Sequence, residues 1–453
     1  MSRKQDRYVK ELVRRYESER ASGRLPYLDT EEFEQLADHY LYENELGKVD
    51  DLLRHAATIH PLEPSLELRR AEWLLAQGRP DETLAILDKL PQGDEDVRIV
   101  RGSAWFAQGH RRRAIKRFRE LVDETRDDRD LLCLDLGDIL MYYGEFEECL
   151  RLMDQGIAVN PSNTELYEMA TECCEKLEAW ERSLPYYDRL LDEDPYDSAA
   201  WMRLGGTYYN LGRFEESLKA YDFASVALPK PTAELFVLQA HSLVQLRRYR
   251  QAQELYEKAL PDLTSDLDRN DACGCAAECF EKLQEYDKAV EWYRQALAYD
   301  PADAQAFLGL GVCYMELQRY DQSLAAFEEA LKSAPDNYET WLYLGDLYAR
   351  TERYGQALSA YQCSLDQAPL QPEVLYAVGN LYFQQRDYRT ALVYYAKSAN
   401  LDENQTNLPL MQAVASAMLG QRNEAEYYLK KALVQQPDAR RLYKQMLAEE
   451  RGE

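Results

Sequence analysis

Proline recurs at one interval along this chain. Pro161, Pro195 and Pro229 stand 34 residues apart, as do Pro301, Pro335 and Pro369; further steps of 34 reach Glu403 and Pro437. The residues between the prolines repeat too. Trp201-x-x-Leu204-Gly205-x-x-Tyr208, Phe307-x-x-Leu310-Gly311-x-x-Tyr314, Trp341-x-x-Leu344-Gly345-x-x-Tyr348 and Leu375-x-x-Val378-Gly379-x-x-Tyr382 share one phrase. Nine residues after each Tyr comes a small residue (Ser217, Ser323, Ala357, Ala391), and four further on an aromatic (Tyr221, Phe327, Tyr361, Tyr395). A fixed period of this length is the mark of a repeat architecture.

The spacing has a direct physical reading. With Trp201 and Trp341 at position 4 of their units, positions 4, 7, 8 and 11 share one face of a first helix, and positions 20, 24 and 27 share one face of a second. Small residues at 8 and 20 let the two backbones approach, and the aromatic at 24 fills the space beside them. The proline stops the second helix before the next unit begins. Such a helix pair cannot bury its apolar faces alone; stacking buries them. Twelve units are expected, starting near residues 30, 64, 95, 130, 164, 198, 233, 270, 304, 338, 372 and 406. Pro229 to Pro301 is 72 residues, four more than two repeats, which predicts a longer loop around 261–271.

The phrase resembles the W-x2-L-G-x2-Y…A-x3-F…P pattern of the tetratricopeptide repeat family. The resemblance implies an all-α solenoid, a right-handed superhelix of antiparallel helix pairs across residues 29–437. A basic amphipathic helix in 1–28 precedes it and a capping helix in 438–453 follows. It also implies a non-enzymatic protein-interaction scaffold or assembly adaptor. In that family the concave groove is lined by first-helix positions 2, 5, 9 and 12.

Those positions are unusual here. Unit 5 places Glu165, Glu168, Glu172 and Glu175 on them. With 81 acids in 453 residues a random position is acidic about one time in six, and stacked like charges repel along a helix, so a solvated face is the poorer account. Units 1, 4 and 8 add Glu31, Glu34 and Asp38, Asp138, and Asp271, Glu278 and Glu281. Units 9 to 11 turn apolar or mixed, with Leu308, Val312 and Met315, then Asp346, then Tyr376, Asn380 and Phe383. The expected ligand is a basic or basic-apolar protein segment, steered by charge complementarity. By the resemblance, Asn380 is a residue that could bond a peptide backbone. One family subtype clamps a C-terminal carboxylate with Lys and Asn; the N-terminal units offer acids there instead.

Charge and motif content narrow the alternatives. The chain carries 54 Lys and Arg against 81 Asp and Glu, a net charge of −27, the wrong sign for a general nucleic-acid binder. Residues 2–24 run against that trend, with eight basic and four acidic side chains. Tyr8, Val9, Leu12, Val13 and Tyr16 stripe that segment, as in a cap on the first repeat or a docking helix for an anionic surface, a peripheral membrane included, or for another protein. No apolar run is long enough to span a membrane, and nine scattered cysteines suit a reducing cytoplasm.

Cys273, Cys275 and Cys279 lack zinc-ligand spacing, and Cys173, Cys279 and Cys313 all fall at repeat position 10, an interface position. Five histidines form no H-E-x-x-H, and no phosphate loop or nucleophile elbow occurs. No metal, cofactor or catalytic residue is expected. The rival expectations are a regulatory subunit wrapping a folded partner and a membrane-associated adaptor using residues 1–24.

Overall fold

A computed structural model describes the backbone of residues 3–61 and 63–451 and the side chains of 7–61 and 63–450. Among the described residues there are 26 α-helices, one 3-10 turn and no strand. The chain divides into two compact units, residues 1–212 and 213–453.

The first unit opens with α1 (Arg3–Ala21). Pairs follow: α2 (Thr30–Tyr42) with α3 (Leu46–Ile59), α4 (Pro64–Ala76) with α5 (Pro80–Leu87), and α6 (Glu95–Ala107) with α7 (Arg111–Glu124). Then come α8 (Arg129–Tyr142) with α9 (Phe146–Val159), α10 (Thr164–Lys176) with α11 (Trp180–Glu193), and α12 (Ser198–Asn210).

The second unit begins with α13 (Phe214–Ala227). Its pairs are α14 (Ala233–Gln245) with α15 (Tyr249–Ala259), α16 (Asp266–Lys282) with α17 (Tyr286–Tyr299), and α18 (Ala304–Glu316) with α19 (Tyr320–Ser333). After these stand α20 (Tyr338–Arg350) with α21 (Tyr354–Gln367), α22 (Pro372–Gln384) with α23 (Tyr388–Leu401), α24 (Leu408–Met418) with α25 (Arg422–Gln435), and α26 (Ala439–Arg451).

Local chemistry sets these boundaries. Asp29 caps α2 in a reciprocal box: its carboxylate accepts from the Glu32 N–H at 2.8 Å, and its own N–H donates to Glu32 at 3.2 Å. Between the helices of a pair one residue turns left-handed. Gly144 does so at φ 74°, while Glu178 and Gln318 hold φ 53° and 59° despite their side chains. The repeat proline acts twice. Its ring helps to end a second helix, and its carbonyl then accepts from the position-4 aromatic of the next unit. Trp201 donates to Pro195 at 2.9 Å, Trp341 to Pro335 at 2.8 Å, and Tyr167 to Pro161 at 3.1 Å.

Within a pair the small residues do what their size allows. Gly311 and Gly345 lie against the rings of Phe327 and Tyr361; a Cβ on Gly345 would stand 2.5 Å from the Tyr361 ring. The hydroxyl at position 20 then reaches the carbonyl at position 8, with Ser323 donating to Gly311 at 2.7 Å and Thr83 to Ala71 at 3.1 Å.

Two local differences from the sequence expectation have clear causes. The extra residues around 261–271 are not a plain loop. They form a 3-10 turn at 260–262 and lengthen α16 to 17 residues, against 13 in α18, because Ser265 caps the helix early and Asp266 and Asp268 favour its first turn. The degenerate second repeat keeps both helices, but α5 has only eight residues.

The ends are covered. Leu12 and Tyr16 of α1 are buried in one cluster with Leu28, Phe33 and Leu36. Leu442 and Met446 of α26 pack with Leu410 and Ala432, and the Tyr388 hydroxyl donates to Glu450 at 2.7 Å.

Candidate functional site

The amphipathicity of the first helices decides which side chains reach solvent. On α10, Leu166, Tyr167, Ala170, Thr171, Cys173 and Cys174 are buried, so Glu165, Glu168 and Glu172 are turned outward and Glu175 is half-buried. On α8, burial of Leu132, Cys133, Leu136, Gly137 and Leu140 leaves Asp135 and Asp138 exposed.

The two helices bring these carboxylates within electrostatic reach of one another. Asp138 is held above the usual carboxylate range by loss of hydration and then by the charges of Glu172 and Glu165. Asp135 is raised by burial and by Asp138, Asp96 and Glu95. A carboxylate face therefore runs from α6 across α8 to α10.

Arginines bound that face at both ends. In the first two repeats, Arg69 donates from Nη1 to both Glu72 oxygens at 2.8 and 2.9 Å, and its Nε stands 2.6 Å from Asp38. Burial pushes the Glu72 carboxyl up to about 7 against the pull of Arg69. Asp38 is raised by burial too, with Arg69 opposing and Glu34 and Asp96 adding to the rise. At the other end Arg203 of α12 pairs with Glu175 at 3.0 Å. Glu31 is exposed and accepts from Gln35 at 3.3 Å, and Glu34 is half-buried.

In the second unit Asp271 and Glu278 are exposed on α16. Burial raises Glu278 and the neighbouring Glu281 raises it further. Four polar residues expected to meet a ligand prove to hold buried tyrosines of the second helices. Tyr187 donates to Glu175 at 2.5 Å, Tyr293 to Glu281 at 3.2 Å, Tyr361 to Asp346 at 2.6 Å and Tyr395 to Asn380 at 2.7 Å. A buried hydroxyl needs a partner, and these side chains supply it. The Asn380 carbonyl, which the resemblance offered to a peptide, thus serves the fold.

The apolar residues of units 9 to 11 are corrected more strongly. Leu308 and Met315 are buried in one cluster with Phe327, Leu344 and Leu347, and Phe383 is buried with Tyr388, Tyr395 and Val414. Their side chains pack repeat against repeat. Val312 and Tyr376 are half-buried beside them.

Arg69, Asp135 and Arg203 escaped the sequence reading. All three stand at repeat position 6, which also faces outward on these helices, so counting that position would have found them. Among the described residues no group of three or more His, Cys, Asp or Glu side chains could hold a metal ion. No described helix is long and apolar enough to cross a membrane.

Comparison with known proteins gives the fold a family context. The tetratricopeptide repeat family model matches residues 134–198, 176–225, 237–295, 277–338, 314–372 and 342–407. The chain is 23% identical over 261 residues to a CTR9 homologue of Arabidopsis thaliana, covering 53% of this chain and 22% of that protein. It is 22% identical over 222 residues to the TPR repeat-containing protein YpiA of Bacillus subtilis, covering 48% of this chain and 50% of the relative. The chain thus spans half or less of these relatives. Among solved structures, the APC/C hetero-tetramer Cut9–Hcn1 aligns with a TM-score of 0.42 at 16% identity, over 86% of this chain and 89% of that one.

Proposed function

The chain belongs to the tetratricopeptide repeat family, an all-α solenoid fold that serves as a scaffold for protein–protein interaction, and from that premise we propose that it binds a basic protein segment on the first-helix carboxylates of α8 and α10. The role is that of a non-enzymatic adaptor. One observation carries the reading: Asp135, Asp138, Glu165 and Glu172 are exposed near one another, and like charges kept together at a cost suit a cationic ligand. Glu175 is a lesser contact in this reading, because Tyr187 and Arg203 already engage it.

Leu12 and Tyr16 of the α1 stripe are buried in the protein, which leaves the membrane-adaptor alternative only the exposed basic side chains of that helix.

The test is fluorescence anisotropy with a labelled oligo-arginine peptide. Wild type should bind at low salt and weaken as salt screens the charges. A Glu165→Lys/Glu168→Lys/Glu172→Lys variant with an unchanged circular dichroism melt should lose binding by about tenfold or more. Equal binding by wild type and variant sinks the reading.

A further inference from the structure

Sulfur side chains of α8, α9 and α10 converge beside Gly137, and we propose that Cys149, Cys173 and Met141 bind a Cu(I) ion there, with Met169 at the entrance. The site lies beneath the carboxylate face and stands independently of the peptide reading above.

Three observations carry it. First, the sulfurs are in contact. The Cys173 thiol donates to Met141 Sδ at 3.3 Å, and the Cys149 thiol is within hydrogen-bond reach of Cys173 and of the Gly137 carbonyl, the latter at 3.5 Å. The place that a Cβ on Gly137 would take is filled by the Met169 sulfur, by the Met153 methyl at 2.7 Å and by the Cys149 sulfur at 3.5 Å. Three sulfurs around one ion, each about 2.3 Å from it, stand about 4 Å apart, so the donors need to shift little to admit one.

Second, the repeat departs here from its own pattern. Position 24 is an aromatic ring in units 3 and 5 to 11, and it is Met153 in unit 4. Elsewhere that ring lies on the position-8 glycine, as Phe118 does on Gly102 and Tyr361 on Gly345. Position 20, a hydroxyl or methyl side chain in Ser323 and Ala357, is the thiol of Cys149. A ring fills this space in the neighbouring repeats, so packing alone does not call for sulfur.

Third, the donor set selects the ion. Two thiols alone are too few for a metal, and the thioethers complete the set. Thiolate with thioether is a soft combination that suits Cu(I), whereas zinc draws on Cys, His and carboxylate. A monovalent ion also costs less to bury than a divalent one. Cys149 and Cys173 are fully buried, while Met141 and Met169 are half-buried at repeat positions 12 and 6 of the outward face. Each stands three residues along its helix from an exposed carboxylate or one at the face, Asp138 on α8 and Glu172 on α10. Those carboxylates concentrate cations at the surface, and the two thioethers lead inward to the thiols. Both thiols release their protons to solvent as the ion binds, and copper stays Cu(I) throughout.

The test is an anaerobic titration of the reduced full chain with Cu(I) held by the chromophoric chelator bicinchoninate. Wild type should withdraw copper from the chelator, and Cys149→Ala/Cys173→Ala should withdraw one equivalent less. Cys133→Ala/Cys174→Ala, which removes two other buried thiols of the same helices, should match wild type. Met141→Leu keeps the volume, so its melt should stay close to that of wild type while it holds Cu(I) about tenfold or more weakly. That variant decides the matter if the cysteine variants do not fold. No withdrawal by wild type, full withdrawal by folded Cys149→Ala/Cys173→Ala, or an unchanged affinity in Met141→Leu overturns the proposal.

Discussion

The hydroxyl of Tyr187, a fully buried side chain, donates to Glu175 at 2.5 Å, and the same carboxylate oxygen accepts from Arg203 at 3.0 Å. One glutamate thus ties the second helix of its own repeat to the first helix of the next. Glu175→Leu leaves the Tyr187 hydroxyl buried without an acceptor and should cost about 1–3 kcal/mol in urea unfolding. Glu175→Gln keeps an acceptor and should cost less. Combined with Tyr187→Phe, the Glu175→Leu loss should be less than additive, because both changes remove one interaction.

Gly345 lies against the Tyr361 ring with no space for a side chain. Gly345→Ala should destabilise by about 1–3 kcal/mol through forced displacement of the ring. Gly355, where a Cβ would meet nothing within 4 Å, is the control. Its change to Ala in helix α21 should be neutral or stabilising. Thermal melts of both variants check the contrast.

Gln318 holds φ 59° in the turn between α18 and α19, where a side chain strains the backbone. Gln318→Gly should stabilise by about 0.5–1 kcal/mol, since relief of left-handed strain of about 1–2 kcal/mol exceeds the entropy cost of glycine, about 0.5–1 kcal/mol. Gln318→Ala keeps the strain and should bring no gain. The comparison is made by chemical denaturation.

Glu72 gives stability a defined pH dependence. Its folded pKa is raised to about 7, so the native state holds a proton that the unfolded chain has released. Its contribution to stability is lost progressively as pH rises from the unfolded value near 4.5 to about 7, and is constant above that. His55 and His241 are shifted downward by burial and act in the opposite sense, from their lowered folded values up to about pH 7.5, where an unfolded histidine has lost its proton. The histidines are common to wild type and Glu72→Gln, so the melting temperature of wild type minus that of the variant should fall as pH rises from about 5 to about 7 and level off above that. An unchanged slope in the variant would falsify the assignment to Glu72.

Much of this molecule was legible in its residue order. The positions of Pro335, Trp341, Gly345 and Tyr361 announce a helix pair, because helical periodicity is local and the small-to-aromatic match lies within one repeat. The acid stripe of α10 was legible for the same reason: burial of Leu166, Tyr167, Ala170, Cys173 and Cys174 leaves one remaining face.

What lies on that face was less legible. Leu308, Met315 and Phe383 stand at outward register positions, yet neighbouring repeats cover them. Glu281, Asp346 and Asn380 read as ligand contacts until the hydroxyls of Tyr293, Tyr361 and Tyr395 are seen to reach them.

The sequence by itself determined the repeat, its helix pairs, their turns and the sign of the charge on each face, since all of these follow from spacing within about 34 residues. Only the tertiary structure decided which outward-facing residues remain available. Availability depends on how the next repeat seats against the face, and that seating is a matter of packing between segments that no single-repeat period encodes.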